Sequence, residues 1–398
     1  MTADIPRFRD VIARRHLPAL DGLRAVAVMV VIVGHHGYPI PGIPADLGVS
    51  AFFVLSGFLI TRLLMREEAA SGTVSLGAFY ARRTFRIFPA YYAFLLFSFV
   101  LDRVQGTRWG STLTFSAVTY TVNYFNALHH HPSNSISHAW SLGVEEQFYL
   151  VWPLAFVLVA HQGRRALLAT VAVAAVMAIA WRTWLTAHGA DVAYLYNAFD
   201  TRFDNLAVGC LLALAADFDV VVRSVERVSR FAWQPLATLA VLAASRVLTP
   251  PAYHYTAGFT INALLLMVLI VQLMLLHGSA LWSWLEHPVT RYLGAISYPM
   301  YLYHQWGDSV GRHAASGRMM IFLVGLAATL LLATGSYFVV ERPFLAIKRR
   351  FEAARIARAD RRGSGRGGAG LTAASIRAAC TAPPGSQTSP SPPVRLPP

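Results

Sequence analysis

Leu17 to Gly37 reads LPALDGLRAVAVMVVIVGHHG. The run is long enough to cross a bilayer as a helix, which takes roughly 20 apolar residues. It nevertheless carries Asp21, Arg24, His35 and His36. Ionisable side chains are costly inside a membrane and usually face a partner or a polar cavity. Arg24 and His35 are separated by about three helical turns, so they share one face roughly 16 Å apart along the axis. That face presents a cation near one membrane surface and an imidazole toward the other. A snorkelling arginine and a packed histidine produce the same pattern, so the rest of the chain has to decide between them.

The composition extends this reading to the whole chain. Hydrophobic residues make up 55% and charged residues 14%, which puts the chain in the membrane class. A net charge of +14 could suggest nucleic acid. The basic residues are not gathered in one module, however, but recur between apolar runs, so no nucleic-acid partner is expected and the lipid bilayer is. The first sixteen residues are polar and Arg-rich, and nothing like a cleavage site follows, so no cleavable signal is expected. Cys210 falls in an apolar run and Cys380 in a polar tail, so neither a disulfide nor a thiolate metal site is implied.

The expected fold is all-α and polytopic. About ten spans are predicted, at 18–37, 48–65, 88–103, 143–160, 166–186, 203–217, 231–248, 259–277, 293–310 and 318–340. Residues 111–125 are a shorter, Thr-rich segment, read as re-entrant or lying at the surface. Ten spans place both termini on one side. Assigning that side to the cytoplasm puts Arg7, Arg9, Arg14 and Arg15, the Arg62–Arg86 group and the C-terminal basic residues inside. The excess of inner Lys and Arg survives removal of the tail, as positive-inside orientation requires. The expected organisation is a cytoplasmic segment over 1–16, a membrane domain over 17–344 and a basic, Pro/Ser-rich tail over 345–398. The tail is too poor in apolar residues to fold alone. Lys348, Arg349 and Arg350 could rest on anionic lipid. The expected location is the plasma membrane, with many passes.

Several polar residues then fall at membrane depth. Ser56-Gly57 lies near mid-depth in GVSAFFVLSGFLITRLL, where a small Ser-Gly pair commonly means close helix packing. FYARRTFRIFPAYY carries Arg82, Arg83 and Arg86. They are either positive-inside flanks or, in Arg83 and Arg86, a guanidinium fork suited to phosphates. HAWSLGVEEQFYLVWP places Glu145 and Glu146 where a span begins, at the expected level of His35, so a carboxylate–imidazole pair is geometrically open. FDTRFDNLAVG sets Asp200, Arg202 and Asp204 at the outer face, where an internal ion pair is expected. YLGAISYPMYLYHQW carries Ser297, Tyr301 and His304, with His304 near the level of His35. His129-His130-His131 resembles a metal cluster, but adjacent loop histidines cannot all bind one ion without strain and no carboxylate pattern completes the site. No metal is expected, and no phosphate-binding loop or dinucleotide fingerprint is present.

LDGLRAVAVMVVIVGHH, FFVLSGFLI, RRTFRIFP, WSLGVEEQFY, TRFDNLAVG, SYPMYLYH and ERP, in this order, resemble the acyltransferase-3 family of integral-membrane O-acyltransferases over about residues 17–344. The family's Arg-x10-His pattern falls on Arg24 and His35, singling out His35 from His36. The resemblance implies transfer of an acyl group, usually acetyl from cytoplasmic acetyl-CoA, to a hydroxyl, usually on a sugar. Acetyl-CoA is then a co-substrate, with no bound cofactor. Some family members carry an extra extracytoplasmic esterase-like domain, which is not expected here.

The residue reading and the resemblance give one plan. His35 is the base, with Glu145 or Glu146 orienting it and Arg24 on the same face. Arg82, Arg83, Arg86 and Ser56 hold acyl-CoA, with Arg24 a further candidate. Asp21, Arg202, Asp204, Ser297, Tyr301 and His304 line the substrate cavity. Direct transfer and an acyl-enzyme on histidine, Ser56 or Ser297 both remain open. The acceptor is a carbohydrate or glycosylated molecule. The alternatives are a macrolide or other secondary metabolite under the same chemistry, or a transporter without chemistry.

Overall fold

A computed structural model describes residues 6–14, 17–38 and 40–352. The tail expected over 345–398 lies, from residue 353 on, outside the described residues, as does Cys380. Among the described residues there is no strand, only one isolated bridge between Ile40 and Ile43. Helix α1 (Phe8–Ala13) precedes α2 (Pro18–His35), α3 (Ala45–Ser71) and α4 (Leu76–Val104). The segment read as re-entrant or superficial forms two short helices, α5 (Ser111–Val118) and α6 (Val122–Leu128). A 3-10 turn at Ser137–Ala139 leads into α7 (Trp140–Ala160), followed by α8 (Arg164–Ala187), α9 (Val192–Asn197), α10 (Phe199–Ala215), α11 (Asp219–Arg227) and α12 (Gln234–Val247). The short α13 (Pro251–Tyr253) runs through a π turn into α14 (Phe259–Leu276). The last helices are α15 (Pro288–Ala295), α16 (Ser297–Ala314) and α17 (Arg318–Ser336), which continues through a second π turn at Tyr337–Glu341.

Seven helices among the described residues are long and apolar enough to cross a membrane. The pair Val192–Ala215 and Asp219–Arg227, bent by 108°, supplies an eighth if it is one span. Two of the ten expected spans do not qualify by length and composition. The 231–248 run yields the 14-residue α12, about 21 Å long against a core of about 30 Å. The 293–310 run breaks into α15 and α16, and α16 carries His304, Asp308 and Arg312. The polarity of α16 has a packing reason. Ser297, Met300, Tyr301, Leu302, His304 and Trp306 are all buried, so the helix faces protein where a lipid-facing helix would need apolar side chains.

The elements form for local reasons. Pro18 opens α2 at a position whose N–H would be unsatisfied anyway. Gly37, at φ +79°, follows its end in the left-handed region. The α3–α10 crossing depends on two glycines. A Cβ on Gly57 would lie 1.9 Å from the Leu206 carbonyl oxygen, and one on Gly209 2.1 Å from that of Val54. Gly57 thus gives the close helix packing expected of the Ser-Gly pair, while the Ser56 hydroxyl donates to Glu145.

A buried ion pair ties α8, α10 and α14 together. Arg182 donates to Asp204 at 2.8 and 3.0 Å and to the Thr260 hydroxyl at 2.6 Å, with Arg182 and Asp204 fully buried. The segment before α2 is also docked. Phe8 and Val11 are buried. Arg9 donates to the carbonyls of Ala216 and Asp217 at 3.2 and 3.1 Å, beside the elbow between α10 and α11.

Candidate active site

Helices α2, α3, α7 and α16 enclose a polar interior whose two ends differ. At one end α2 finishes at His35 against His304 of α16. His304 donates from Nδ1 to the Tyr301 carbonyl, 2.6 Å away. Its Nε2 is then the unprotonated nitrogen and accepts from His35 Nδ1, 3.1 Å away. The bond at one ring nitrogen fixes the state of the other, so His35 keeps its lone pair on Nε2. His138 stands edge-on to His304, with ring centroids 4.8 Å apart, and donates to the Leu302 carbonyl at 3.0 Å. A small cleft of about 50 Å³ opens beside these rings, lined by His35, His131, Ser137, His138, Trp140, Tyr196, Tyr301 and Gln305. The Tyr301 hydroxyl donates to the His138 carbonyl at 2.8 Å and lies 2.7 Å from the Ser141 hydroxyl.

The other end is built from arginines and aromatic rings. Ser56 and Tyr149 each donate to Glu145, both at 3.1 Å. The Arg83 guanidinium stands over the rings of Tyr149 and Phe79, at 5.3 and 5.8 Å, a favourable cation–π arrangement. Arg24 donates to Asp21 at 3.0 Å and lies within electrostatic range of Arg86 and Tyr149. Glu341 and Lys348, from the extension of α17, approach Arg86 in the same way. The Tyr298 hydroxyl, at the start of α16, donates to the Ile87 carbonyl at 3.3 Å. Helix α16 therefore runs from the arginine end to the histidine end.

The acyltransferase family model, described as an acyltransferase domain, matches residues 17–338. The chain belongs to the acyltransferase-3 family. It is 28% identical over 370 residues to O-acetyltransferase OatA of Staphylococcus aureus (strain NCTC 8325 / PS 47), covering 86% of this chain and 59% of that protein. It is 30% identical over 312 residues to the peptidoglycan O-acetyltransferase OatA of Listeria monocytogenes, covering 73% of this chain and 49% of that one. A putative O-acetyltransferase of Staphylococcus aureus (strain COL) is 27% identical over 356 residues. The chain spans about half to three-fifths of the length of these relatives. No solved structure matches it. It is a multi-pass membrane protein of that family.

The geometry redistributes the expected site residues of this chain. The pairing of Glu145 or Glu146 with His35 is replaced. Helix α7 begins at Trp140 after its 3-10 turn, so Glu145 lies more than a turn along it and is bonded to Ser56 and Tyr149. Glu146 has Glu145 and Arg83 as its electrostatic neighbours. His304 takes the place expected for a carboxylate. Arg24 shares the face of His35 but belongs to the arginine end, with Asp21. Arg82 is held apart from Arg83 and Arg86 by a 2.6 Å buried ion pair with Glu67.

Arg202 and Asp204 do not line the cleft. Asp204 pairs with Arg182. Arg202 is fully buried 3.8 Å from the Phe259 ring centroid, behind Trp140 and Tyr196, and donates to Ser50 at 3.3 Å. Ser297 is buried at the start of α16, about 10 Å along the axis from His304. Tyr301 does line the cleft. His36 turns to α17, donating to the Ile32 carbonyl at 2.8 Å and meeting the Phe322 ring edge-on.

The three loop histidines diverge. His129 stacks on Phe125, His130 bonds to Asp191 and His131 to Asn197. His138 escaped the sequence reading although it sits inside HAWSLGVEEQFY. Its position in that motif was the available signal.

Proposed function

We propose that this chain transfers an acyl group, acetyl in the simplest case, from acyl-CoA to a hydroxyl of a cell-surface carbohydrate. The observation that carries the reading is the His304–His35 hydrogen bond, which leaves the unprotonated Nε2 of His35 beside a polar and aromatic cleft. Two relatives named as O-acetyltransferases, one of them for peptidoglycan, favour this acceptor class. In this reading all ten helical runs cross the plasma membrane, and both termini and the arginine end are cytoplasmic. Acyl-CoA enters at Arg83 and Arg86, its phosphates taking charge-assisted bonds from the guanidiniums. The pantetheine arm passes Ser56 and Glu145 toward the histidines.

The acceptor hydroxyl donates to His35 Nε2. As its oxygen attacks the thioester carbonyl, the proton moves to His35 and His304 holds the imidazolium in place. The tetrahedral intermediate collapses, the C–S bond breaks, and His35 returns the proton to the departing thiolate. General-base assistance of this kind contributes about 10²–10⁴-fold. The test is acyl transfer in membranes from labelled acetyl-CoA, at matched expression. His35→Gln should bind acyl-CoA but lose nearly all transfer, because glutamine cannot take the proton. Near-normal turnover would remove the base role. Failure of acetyl-CoA to label any glycan with the wild-type chain would remove the carbohydrate acceptor.

A further inference from the structure

We infer that His131 is a specificity-determining residue: its Nε2 accepts a hydrogen bond from a second hydroxyl of the acceptor, next to the hydroxyl that His35 deprotonates. The inference rests on the carbohydrate reading of the cleft and adds to it a requirement for two neighbouring hydroxyls.

His131 lies on the wall of the same cleft as His35, on the connection between α6 and α7. The state of its ring follows from Asn197. That side chain is fully buried and donates from Nδ2 to the Ala193 carbonyl at 2.7 Å, which leaves its Oδ1 as the acceptor. The His131 Nδ1 lies 2.9 Å from this oxygen and donates to it; the Asn126 amide nitrogen is farther from the same Nδ1, at 3.5 Å, and bonds instead to the Ser137 carbonyl at 2.8 Å. Its Nε2 is therefore an unprotonated acceptor, for which no protein donor stands among the described residues. Burial also lowers the proton affinity of this imidazole below that of an ordinary histidine, which keeps the lone pair available.

The backbone is committed to this placement. His130 and His131 both occupy the left-handed region, at φ +56° and +50°, where non-glycine residues are uncommon. Such a conformation persists only where its surroundings hold it. Here the His131 N–H donates to the Asn126 carbonyl at 2.8 Å, and Asn126 Nδ2 donates to the Ser137 carbonyl at 2.8 Å.

The cleft thus offers two imidazole acceptors, at His35 and His131, and an aromatic wall of Trp140 and Tyr196 with ring centroids 4.8 Å apart. A pyranose has a matching division, with hydroxyl donors around its rim and an apolar C–H face. Water or a monohydroxy alcohol satisfies His35 alone. A site built to bond a hydroxyl discriminates strongly against an analogue lacking it, because the buried partner is left unpaired.

The test uses the full chain in liposomes, labelled acetyl-CoA, and a panel of methyl hexopyranosides with their monodeoxy counterparts. For the wild type, removing the hydroxyl neighbouring the acetylated one should lower kcat/KM at least tenfold. In His131→Ala that ratio should fall toward one, with the loss on the parent sugar in KM and the acetyl spread over several ring positions. His131→Gln, whose amide oxygen still accepts, should recover much of the ratio. If His131→Ala does not fold, His131→Phe keeps a ring against Tyr196 without an acceptor and should give the same loss. Sugar transfer with the deoxy ratio and the acetyl position unchanged in the folded variant would overturn the inference alone. No transfer to any sugar by the wild type would overturn the carbohydrate reading and the inference together.

Discussion

The two ends of the interior use polar residues in opposite ways. At the histidine end, His304 and His138 bond to backbone carbonyls of α16 and His35 bonds to His304. Each of these protons is committed; the lone pair of His304 is taken by His35, that of His138 is buried, and that of His35 is left beside the cleft. At the arginine end, Arg83 lies on aromatic faces and Arg86 sits among further cations. In the proposed reaction one end accepts a proton and the other receives an anion. In a membrane neither arrangement serves packing alone, since each keeps polar groups at depth. The contrast teaches that a buried polar residue is best read by which of its atoms remain unspent.

The largest expected effect breaks the histidine end. His35→Gln should reduce acyl transfer by about 10²–10⁴-fold while acyl-CoA affinity holds; single-turnover rates and equilibrium binding, measured on one preparation, separate the two. The arginine end should answer in the reverse sense. Replacing Arg83 and Arg86 together by alanine removes charge-assisted contacts worth about 1.5–3 kcal/mol each, so CoA affinity should drop at least tenfold. Unchanged binding would return both residues to simple topological flanks.

Arg82→Ala sharpens the comparison, because Arg82 is adjacent in sequence yet is paired with Glu67. It should lower the melting temperature of the detergent-solubilised protein and leave CoA affinity in the folded fraction unchanged; a tenfold affinity loss would place Arg82 in the donor site after all. The smallest effect is expected at His304. His304→Phe removes one hydrogen bond, worth about 0.5–1.5 kcal/mol net, and should slow turnover roughly two- to tenfold. His304→Asn should restore part of the rate by accepting from His35, and an equal loss in both variants would leave His304 a packing residue.

The sequence carried the axial coordinates of this site better than the angular ones. Heptad and turn spacing put Arg24 and His35 on one face and His304 near the level of His35, and the His35–His304 contact agrees with that spacing. Depth alone also matched Glu145 to His35, and there it misled. The rotation of α7 about its own axis depends on packing against α3, where Ser56 captures the carboxylate. Periodicity within one segment contains no such information. The same limit hid His131, whose partner Asn197 is supplied by α9, far along the chain. It likewise joined Arg82 to its neighbours, because three arginines in a short run look alike until Glu67 selects one. The expected span at 293–310 stands apart for a further reason: the polarity that takes α16 out of the apolar class is what the interior requires of it.

The docking of α1 also sets an order of assembly. The carbonyls that receive Arg9 and the carboxylate that receives the Phe8 N–H lie 207 to 218 positions later in the chain. A ribosome adding about 5–20 residues per second needs roughly ten to forty seconds to supply them. Helix α1 thus leaves the ribosome long before its seat exists, and the elbow at α10–α11 receives it only once most of the described spans have been delivered to the membrane.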